Sequence, residues 1–308
     1  MDSATTIADW IDRIAGQFGA AGLHYGHGTD NARDEAAWLV LHVLNAPLDG
    51  SFEDWGRVVD DAHGAEIERL AAARCHQSAP LAYLLGTARF AGLEFAVSPD
   101  VLVPRSPIAE LILDGFQPWL DPAADLRVLD MCTGCGCIAI ATARHLPGAV
   151  VDAVDISSAA LEIAALNVRR HGVEDRVRLL RSDLFEEVPP RAYDLVVANP
   201  PYVPRARLAG LAREYRCEPA LGLLSGDDGL DAVLEILRRA PSFLARDGIL
   251  ICEVGESEER LAALLPSLPF LWLEFARGGS GVFLLNREQL EATRADVMAV
   301  IEDRKHVV

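Results

Sequence analysis

Asn199-Pro200-Pro201-Tyr202 follows Tyr193-Asp194-Leu195-Val196-Val197-Ala198, a run that reads as a short buried strand. Two prolines fix φ at both positions and remove two backbone donors. The residue ahead of a proline is driven towards an extended conformation. Asn199 and Tyr202 are therefore expected at fixed places on the carboxyl edge of a sheet, where open α/β folds bind ligands. This arrangement suits alkylation of a poorly nucleophilic planar nitrogen, one whose lone pair is delocalised. The side-chain oxygen of Asn199 and the carbonyl of Pro200 would each accept one N–H bond and turn an amide or aryl-amine nitrogen towards an electrophile. Tyr202 would lie over the planar group or near a cationic methyl donor, because a ring face favours positive charge. All four residues are candidate catalytic and substrate-binding groups. The plain alternative is a rigid loop with no chemistry.

The electrophile is read from a second segment. Leu129-Asp130-Met131-Cys132-Thr133-Gly134-Cys135-Gly136-Cys137-Ile138 runs from a strand through a glycine turn into a helix. Gly134 and Gly136 permit a close backbone approach that a Cβ would prevent. Asp155 ends the next strand, where a carboxylate can accept both hydroxyls of a ribose. Asp183, in Ser182-Asp183-Leu184-Phe185, would accept an adenine amino hydrogen with Leu184 against the ring. Asp130, Cys132, Thr133, Gly134, Cys135, Gly136, Asp155, Asp183, Leu184 and Asn199 together describe a pocket for S-adenosylmethionine. The rival is a dinucleotide site, since Gly134-x-Gly136-x-x-Ala139 satisfies the loose NAD fingerprint. Asp130 beside the loop suits a positive amino group and repels a pyrophosphate, and the Asn199 turn has no role in hydride transfer.

Other clusters carry less. Cys132, Cys135 and Cys137 supply only three thiols inside a tight turn, so no metal site is expected there. His24 and His27 flank Tyr25-Gly26-His27-Gly28-Thr29-Asp30-Asn31, which reads as a loop with Asp30 or Asn31 capping the next helix. Glu253 ends the fifth strand in Cys252-Glu253-Val254-Gly255 and receives no role.

These groups need elements to position them. The chain has 308 residues, 51% of them hydrophobic, enough for a large core and a smaller unit. Residues 1–78 read as a helical substrate-recognition domain. Trp10, Ile11, Ile14 and Phe18, then Ala37, Leu41 and Leu44, then Ile67, Leu70 and Ala71 recur at helical spacing. Residues 79–103 read as a β-hairpin linker, and Pro104-Arg105-Ser106-Pro107 leads into a helix through Leu113. Within 104–290 strands and helices alternate. Strands are expected at Arg127–Met131, Val150–Asp155, Arg176–Arg181, Tyr193–Ala198, Gly248–Val254, Leu271–Phe275 and Val282–Leu285. Helices are expected near 136–146, 157–171, 228–245 and 256–265. The pattern predicts an α/β fold, a seven-stranded doubly wound sheet whose last two strands form an antiparallel hairpin. Residues 287–303 read as a polar helical stretch, and residues 291–308 as the C-terminal tail.

Composition narrows the partners. The formal charge is −18, which disfavours a naked nucleic acid and favours a basic protein, steered by an attraction that salt screens. Six cysteines are too few for a disulfide scaffold at this length and suit a reducing cytoplasm. Met1-Asp2-Ser3-Ala4 lacks the start of a signal peptide, and no apolar run is long enough to span a membrane.

With these motifs in hand, the chain resembles the bacterial protein-glutamine amide methyltransferases of the class I S-adenosylmethionine-dependent fold along nearly its whole length. Pro80-Leu81-Ala82-Tyr83-Leu84-Leu85-Gly86 and Val101-Leu102-Val103-Pro104-Arg105 are similar to that family's linker motifs, and Asn199 to Tyr202 to its glutamine-binding motif. The resemblance implies a helical N-terminal domain, a hairpin linker, a seven-stranded catalytic domain, and substrate contacts at Pro104 and Arg105. Tyr25 to Asn31, Pro104-Arg105-Ser106-Pro107 and Asp130-Met131-Cys132-Thr133-Gly134 resemble the branch that methylates the third large-subunit ribosomal protein. The branch acting on peptide chain release factors usually reads proline-arginine-proline-aspartate-threonine-glutamate after the hairpin and has glycine where Cys132 stands. Cys135 departs from the serine usual in the ribosomal branch, and a small thiol still fits the turn. Amine methylation of a nucleic acid and a non-enzymatic role in ribosome assembly are the alternatives from other classes.

Overall fold

The computed structural model describes residues 5–305. The Met1-Asp2-Ser3-Ala4 end and the last residues of the tail, 306–308, lie outside the described residues. The chain divides into two units. The first holds the residues up to Pro99 together with Val103–Arg105 and Leu211–Glu218, and the second holds Asp100–Leu102, Ser106–Gly210 and the chain from Pro219 onward.

In the first unit, helices α1 (Ile7–Ala20), α2 (Ala32–Val43) and α3 (Asp61–Gln77) surround one apolar cluster. Thr6 and Asp9 start α1 with a reciprocal capping box, and Trp10, Ile11, Ile14 and Phe18 form its buried face, as their spacing requires. Asn31 caps α2, its side chain accepting the amides of Arg33 and Asp34. The core-facing side of α2 includes the three expected positions and is wider than they are. Glu35, Ala36, Leu39, Val40 and Leu41 point inward, while Ala37 and Leu44 are half-buried. The buried face also carries Glu35, whose carboxylate meets a buried arginine. Arg74, 1% exposed, donates to Glu35 Oε1 at 2.5 Å, to Glu214 Oε1 at 3.1 Å and to the His24 carbonyl at 3.0 Å.

The expected hairpin linker is present and opens with a short helix. Residues Leu81–Leu85 form α4, which buries Leu81 and Ala82 and stops at Gly86 in the left-handed region. The hairpin itself, β1 (Thr87–Phe90) and β2 (Leu93–Ala96), closes tightly with Phe90 paired to Leu93.

The second unit is a seven-stranded sheet with helices. After α5 (Ile108–Leu113) come β3 (Arg127–Met131), α6 (Cys137–His145), β4 (Val150–Asp155), α7 (Ser158–His171), β5 (Val177–Arg181) and β6 (Tyr193–Ala198). Then follow α8 (Ala220–Leu223), α9 (Asp231–Arg239), β7 (Leu244–Glu253), α10 (Glu258–Leu264), β8 (Leu271–Trp272), β9 (Val282–Asn286), α11 (Arg287–Ala292) and α12 (Arg294–Lys305). The strand order is β5-β4-β3-β6-β7-β9-β8, parallel except for β9, which runs antiparallel to β7 and to β8. This is the seven-stranded sheet with an antiparallel end that the alternation of strands and helices predicts.

Some expected boundaries move for identifiable reasons. The helix expected near 228–245 is α9, followed by a 3-10 turn at Ala240–Ser242, because Pro241 cannot continue an α-helix. The strand expected at Leu271–Phe275 shortens to Leu271–Trp272. The Leu273 amide still donates to the Val282 carbonyl at 2.9 Å, and beyond Phe275 the amides of Ala276 and Arg277 donate to the Glu110 carboxylate, each at 2.9 Å. The polar end is helical as read, yet Leu290 and Val297 belong to the core under the sheet. Among the described residues no helix is long and apolar enough to cross a membrane, and the six cysteines are free thiols.

The Arg74 cluster yields a stability prediction. Burial pushes the Glu214 carboxyl up, but the backbone amides and the Arg74 guanidinium outweigh it and hold the group below its ordinary 4.5. A folded value below the unfolded one stabilises fully above the unfolded value and fades as pH falls through the folded one. Arg74→Leu strands two buried carboxylates and should cost about 3–5 kcal/mol near neutral pH. Thermal melts across pH should show the gap to wild type narrowing below the ordinary glutamate value. A constant gap would mean that the pair does not hold the unit together.

Candidate active site

The chain order reverses between β3 and β6, so a crevice opens at the carboxyl ends of these two strands. Met131 is paired with Val154 on one side and Ala198 on the other, and Ala198 is paired with Cys252. The residues that follow these positions, Cys132, Asp155, Asn199 and Glu253, therefore line one edge of the sheet.

The glycine turn is held by backbone bonds and by two carboxylates. The Thr133 amide donates to the Val154 carbonyl and its carbonyl accepts the Gly136 amide, each at 2.9 Å. Cys132 sits in the left-handed region at φ 62°. The two glycines differ in purpose. A Cβ on Gly136 would meet Ile140 Cδ1 at 3.1 Å and Ala164 Cβ at 3.3 Å, so that residue lets α6 approach α7. A Cβ on Gly134 would meet nothing within 4 Å, so Gly134 faces open space at the crevice. Cys135 is buried, and its carbonyl accepts the Asn167 side-chain amide at 2.9 Å, which ties the turn to α7.

Asp130 is fully buried. Its Oδ2 accepts the Thr133 hydroxyl at 2.5 Å and the Ala139 amide at 3.0 Å, while its Oδ1, also buried, has no partner among the described residues. Burial pushes its carboxyl up to about 7, the Thr133 hydroxyl and Ala139 amide pull the other way, and the charge of Asp155 adds to the rise. Asp155 is half-buried. One of its oxygens takes the Gly134 amide and the other the Ser157 amide, each at 2.9 Å, and burial raises its carboxyl above the ordinary value despite those bonds. Asp183 lies beyond the end of β5, exposed. Leu184 follows it at φ 47°, half-buried against the main core. The Ser182 amide donates to the Asp155 carbonyl at 3.0 Å, which ties the two acidic loops together.

A ligand with a cationic amino group, hydroxyls and a flat base matches this donor and acceptor set. Asp130 offers a buried unpartnered acceptor, Gly134 leaves space, and two further carboxylates border the same edge. S-adenosylmethionine fits on these grounds, and a pyrophosphate does not.

Asn199 and Pro201 are half-buried and Pro200 is buried. Among the described residues the Asn199 carboxamide has no hydrogen bond. Tyr202 is fixed by contacts that its sequence position did not reveal. Its hydroxyl donates to Glu253 Oε1 at 2.9 Å, and the other carboxylate oxygen takes the Ser106 hydroxyl at 2.6 Å. Glu253 and Ser106 are the residues that sequence reading left without a role. The position of Glu253 at a strand end was visible; its partners were not, because they come from two other parts of the chain.

Pro104 and Arg105 belong to the first unit. Arg105 Nη1 and Nη2 grip Glu218 at 2.6 and 2.8 Å, and Nη1 also donates to the Val103 carbonyl. Glu218 is further bonded by the Val103 amide at 3.0 Å and lies 3.5 Å from His27. Burial pushes the Glu218 carboxyl up, but His27 and Arg105 more than reverse it, so it stays below its ordinary value. His27 therefore belongs to a structural cluster of this unit, its ring 4.6 Å from that of Tyr215.

The sequence pattern of the methyltransferase small domain family matches residues 110–214. The chain is 49% identical over 308 residues to the ribosomal protein uL3 glutamine methyltransferase of Xanthomonas campestris pv. campestris, with 98% of each chain covered. It is 46% identical over 288 residues to the protein of the same name from Bordetella pertussis, covering 92% of this chain and 96% of that one. The counterpart from Neisseria meningitidis serogroup A is 46% identical over 287 residues, covering 93% and 94%.

Asp130 gives the site a pH signature. Its folded value, about 7, exceeds the ordinary 3.8, so the folded state binds more protons between these values and stability falls as pH rises through them. Asp130→Asn cannot ionise, so its melting temperature relative to wild type should climb as pH is raised from about 4 to about 7. A pH-independent difference between the two ligand-free proteins would contradict this account of the buried carboxyl.

Proposed function

The chain belongs to the ribosomal protein uL3 glutamine methyltransferase family, and from that premise we propose how its residues carry out the reaction. It methylates the side-chain amide nitrogen of a glutamine in uL3. When bound, S-adenosylmethionine supplies a methyl group on a cationic sulfur.

Asp130 would accept from the donor's amino group, Asp155 from the ribose hydroxyls and Asp183 from the adenine amine. Leu184 would lie along the base, and Cys132, Thr133, Gly134, Cys135 and Gly136 would give the backbone its close approach. The single observation that supports this reading best is the position of Asn199. It follows Ala198, whose strand partner is Met131 beside the Asp130 carboxyl, and its carboxamide is not engaged by the described residues.

Asn199 Oδ1 and the Pro200 carbonyl orient the glutamine NH2 by accepting its two hydrogens, which leaves the nitrogen face directed at the methyl carbon. Proximity and orientation can lower such a barrier by roughly 7–11 kcal/mol. No strong base is needed, because an N-methylated amide that still carries an extra proton is a strong acid and loses it to water or towards the Pro200 carbonyl. Pro201 keeps the turn rigid. We assign substrate contacts to Pro104 and Arg105 and protein recognition to the helical unit. The Arg105 side chain keeps 25% of its surface exposed while Glu218 holds it, which supports a contact role. The charge of −18 supports a basic protein partner without a direct nucleic-acid contact, and a ribosomal protein as substrate supports a cytoplasmic location.

Asn199→Ala should lower turnover on uL3 by at least about 100-fold while changing cofactor affinity far less, as expected for loss of a group that positions the nucleophile. Calorimetry and a methyl-transfer assay separate the two effects, and near-normal turnover would remove Asn199 from the mechanism. In cells lacking the protein, mass spectrometry should find uL3 lighter by one methyl group and the release factors unchanged. The opposite pattern would assign the chain to the release-factor reaction.

A further inference from the structure

We infer that Glu253 and Ser106 are positioning residues for methyl transfer, acting through the hydroxyl of Tyr202; this rests on the reading that the Asn199–Tyr202 turn holds the glutamine amide. Proline rings fix φ along that turn but leave ψ free, and Pro200 and Pro201 have no N–H with which to anchor it. The direction of the Pro200 carbonyl, and with it the amide it receives, therefore depends on what holds the end of the turn.

Tyr202 is that end, and it is gripped at ring, hydroxyl and carbonyl. A Cβ on Gly255 would lie 2.7 Å from Tyr202 Cε2 and 3.0 Å from Cζ, so the ring rests directly on backbone. The Tyr202 carbonyl accepts the Ser257 hydroxyl at 3.2 Å, and a Cβ on Gly229 would come within 2.2 Å of the same oxygen. The phenol donates to Glu253 Oε1 at 2.9 Å.

Glu253 is itself held. It is 5% exposed, and its Oε2 takes the Ser106 hydroxyl at 2.6 Å. The Ile108 amide donates to Ser106 Oγ at 3.2 Å, which leaves the serine's own hydrogen for the carboxylate. The pairing of Ala198 with Cys252 puts Glu253 level with Asn199 on the neighbouring strand. A carboxylate buried this deeply is costly to desolvate, and an apolar side chain would fill the space at lower cost. Its partners show what it does: it joins the segment that follows Arg105 to the tyrosine that ends the turn.

The test compares Tyr202→Phe, Glu253→Gln, Ser106→Ala and the Tyr202→Phe/Glu253→Gln double variant, with uL3 as substrate. Tyr202→Phe and Glu253→Gln should each lower kcat about 10- to 100-fold, with the KM for uL3 and the Kd for cofactor held within about twofold. The double variant should be no slower than the slower single, because Tyr202→Phe removes the same bond that Glu253→Gln weakens by taking away its charge. In cofactor-free protein, the ring-carbon resonance of labelled Tyr202 should shift in Glu253→Gln and in Ser106→Ala. Additive losses, an unchanged kcat in Glu253→Gln, or a loss confined to cofactor affinity would overturn the inference. If Glu253→Gln does not fold, the kcat of Tyr202→Phe and the Tyr202 resonance in Ser106→Ala still decide. If wild type itself fails to methylate uL3, the functional reading falls, and the resonance alone judges whether the network fixes the tyrosine.

Discussion

Parallel pairing of β3 with β6 is the constraint on which the site depends. These strands are distant in sequence, and their register sets Met131 opposite Ala198. A slip of one residue would turn alternate side chains to the other face of the sheet. It would move Asn199 away from the level of Asp155 and Glu253. The reversal of strand order at this pair places the loops that follow the two strands side by side, so the proposed donor pocket and the proposed nucleophile clamp share one structural origin.

Buried carboxylates do different work in the two units. In the first, Glu35 and Glu214 meet Arg74, and Glu218 meets Arg105 and His27. The Arg74 pairs join α2 and α3 to the returning segment Leu211–Glu218, and the Arg105 pair joins that segment to Val103–Arg105. Glu214 and Glu218 are held below the ordinary glutamate value by their partners. In the second unit, Asp130 and Glu253 are bonded by hydroxyl groups. A hydroxyl neutralises no charge, so burial dominates at Asp130 and its carboxyl rises to about 7. Such a group remains ready for a cationic partner, whereas a paired carboxylate is already spent on packing.

Much of the fold was legible because it follows from local periodicity. Arg127–Met131, Val150–Asp155 and Tyr193–Ala198 are strands with the bounds read from the apolar runs alone. The inward face of α1 follows from its spacing, and Asn31 caps α2 as its side-chain chemistry suggests. The hairpin expected within 79–103 is present, and the helix α4 ahead of it buries Leu81 and Ala82. Contacts between distant groups were not legible. Glu35 faces the core of the first unit because Arg74 meets it there, and β8 is followed by amides that bond Glu110.

The sequence by itself determined the chemistry of the parts: a proline-locked carboxamide, a glycine turn with an acidic residue on either side, and the alternation that makes a doubly wound sheet. These are properties of residue type and near-neighbour spacing, which a linear chain displays directly. Only the tertiary structure decided that Gly134 faces open space while Gly136 packs helices, that one oxygen of Asp130 is buried without a partner, and that Glu253 and Ser106 hold Tyr202. Each of these depends on atoms brought together from separate segments, and no local pattern encodes which segments will meet.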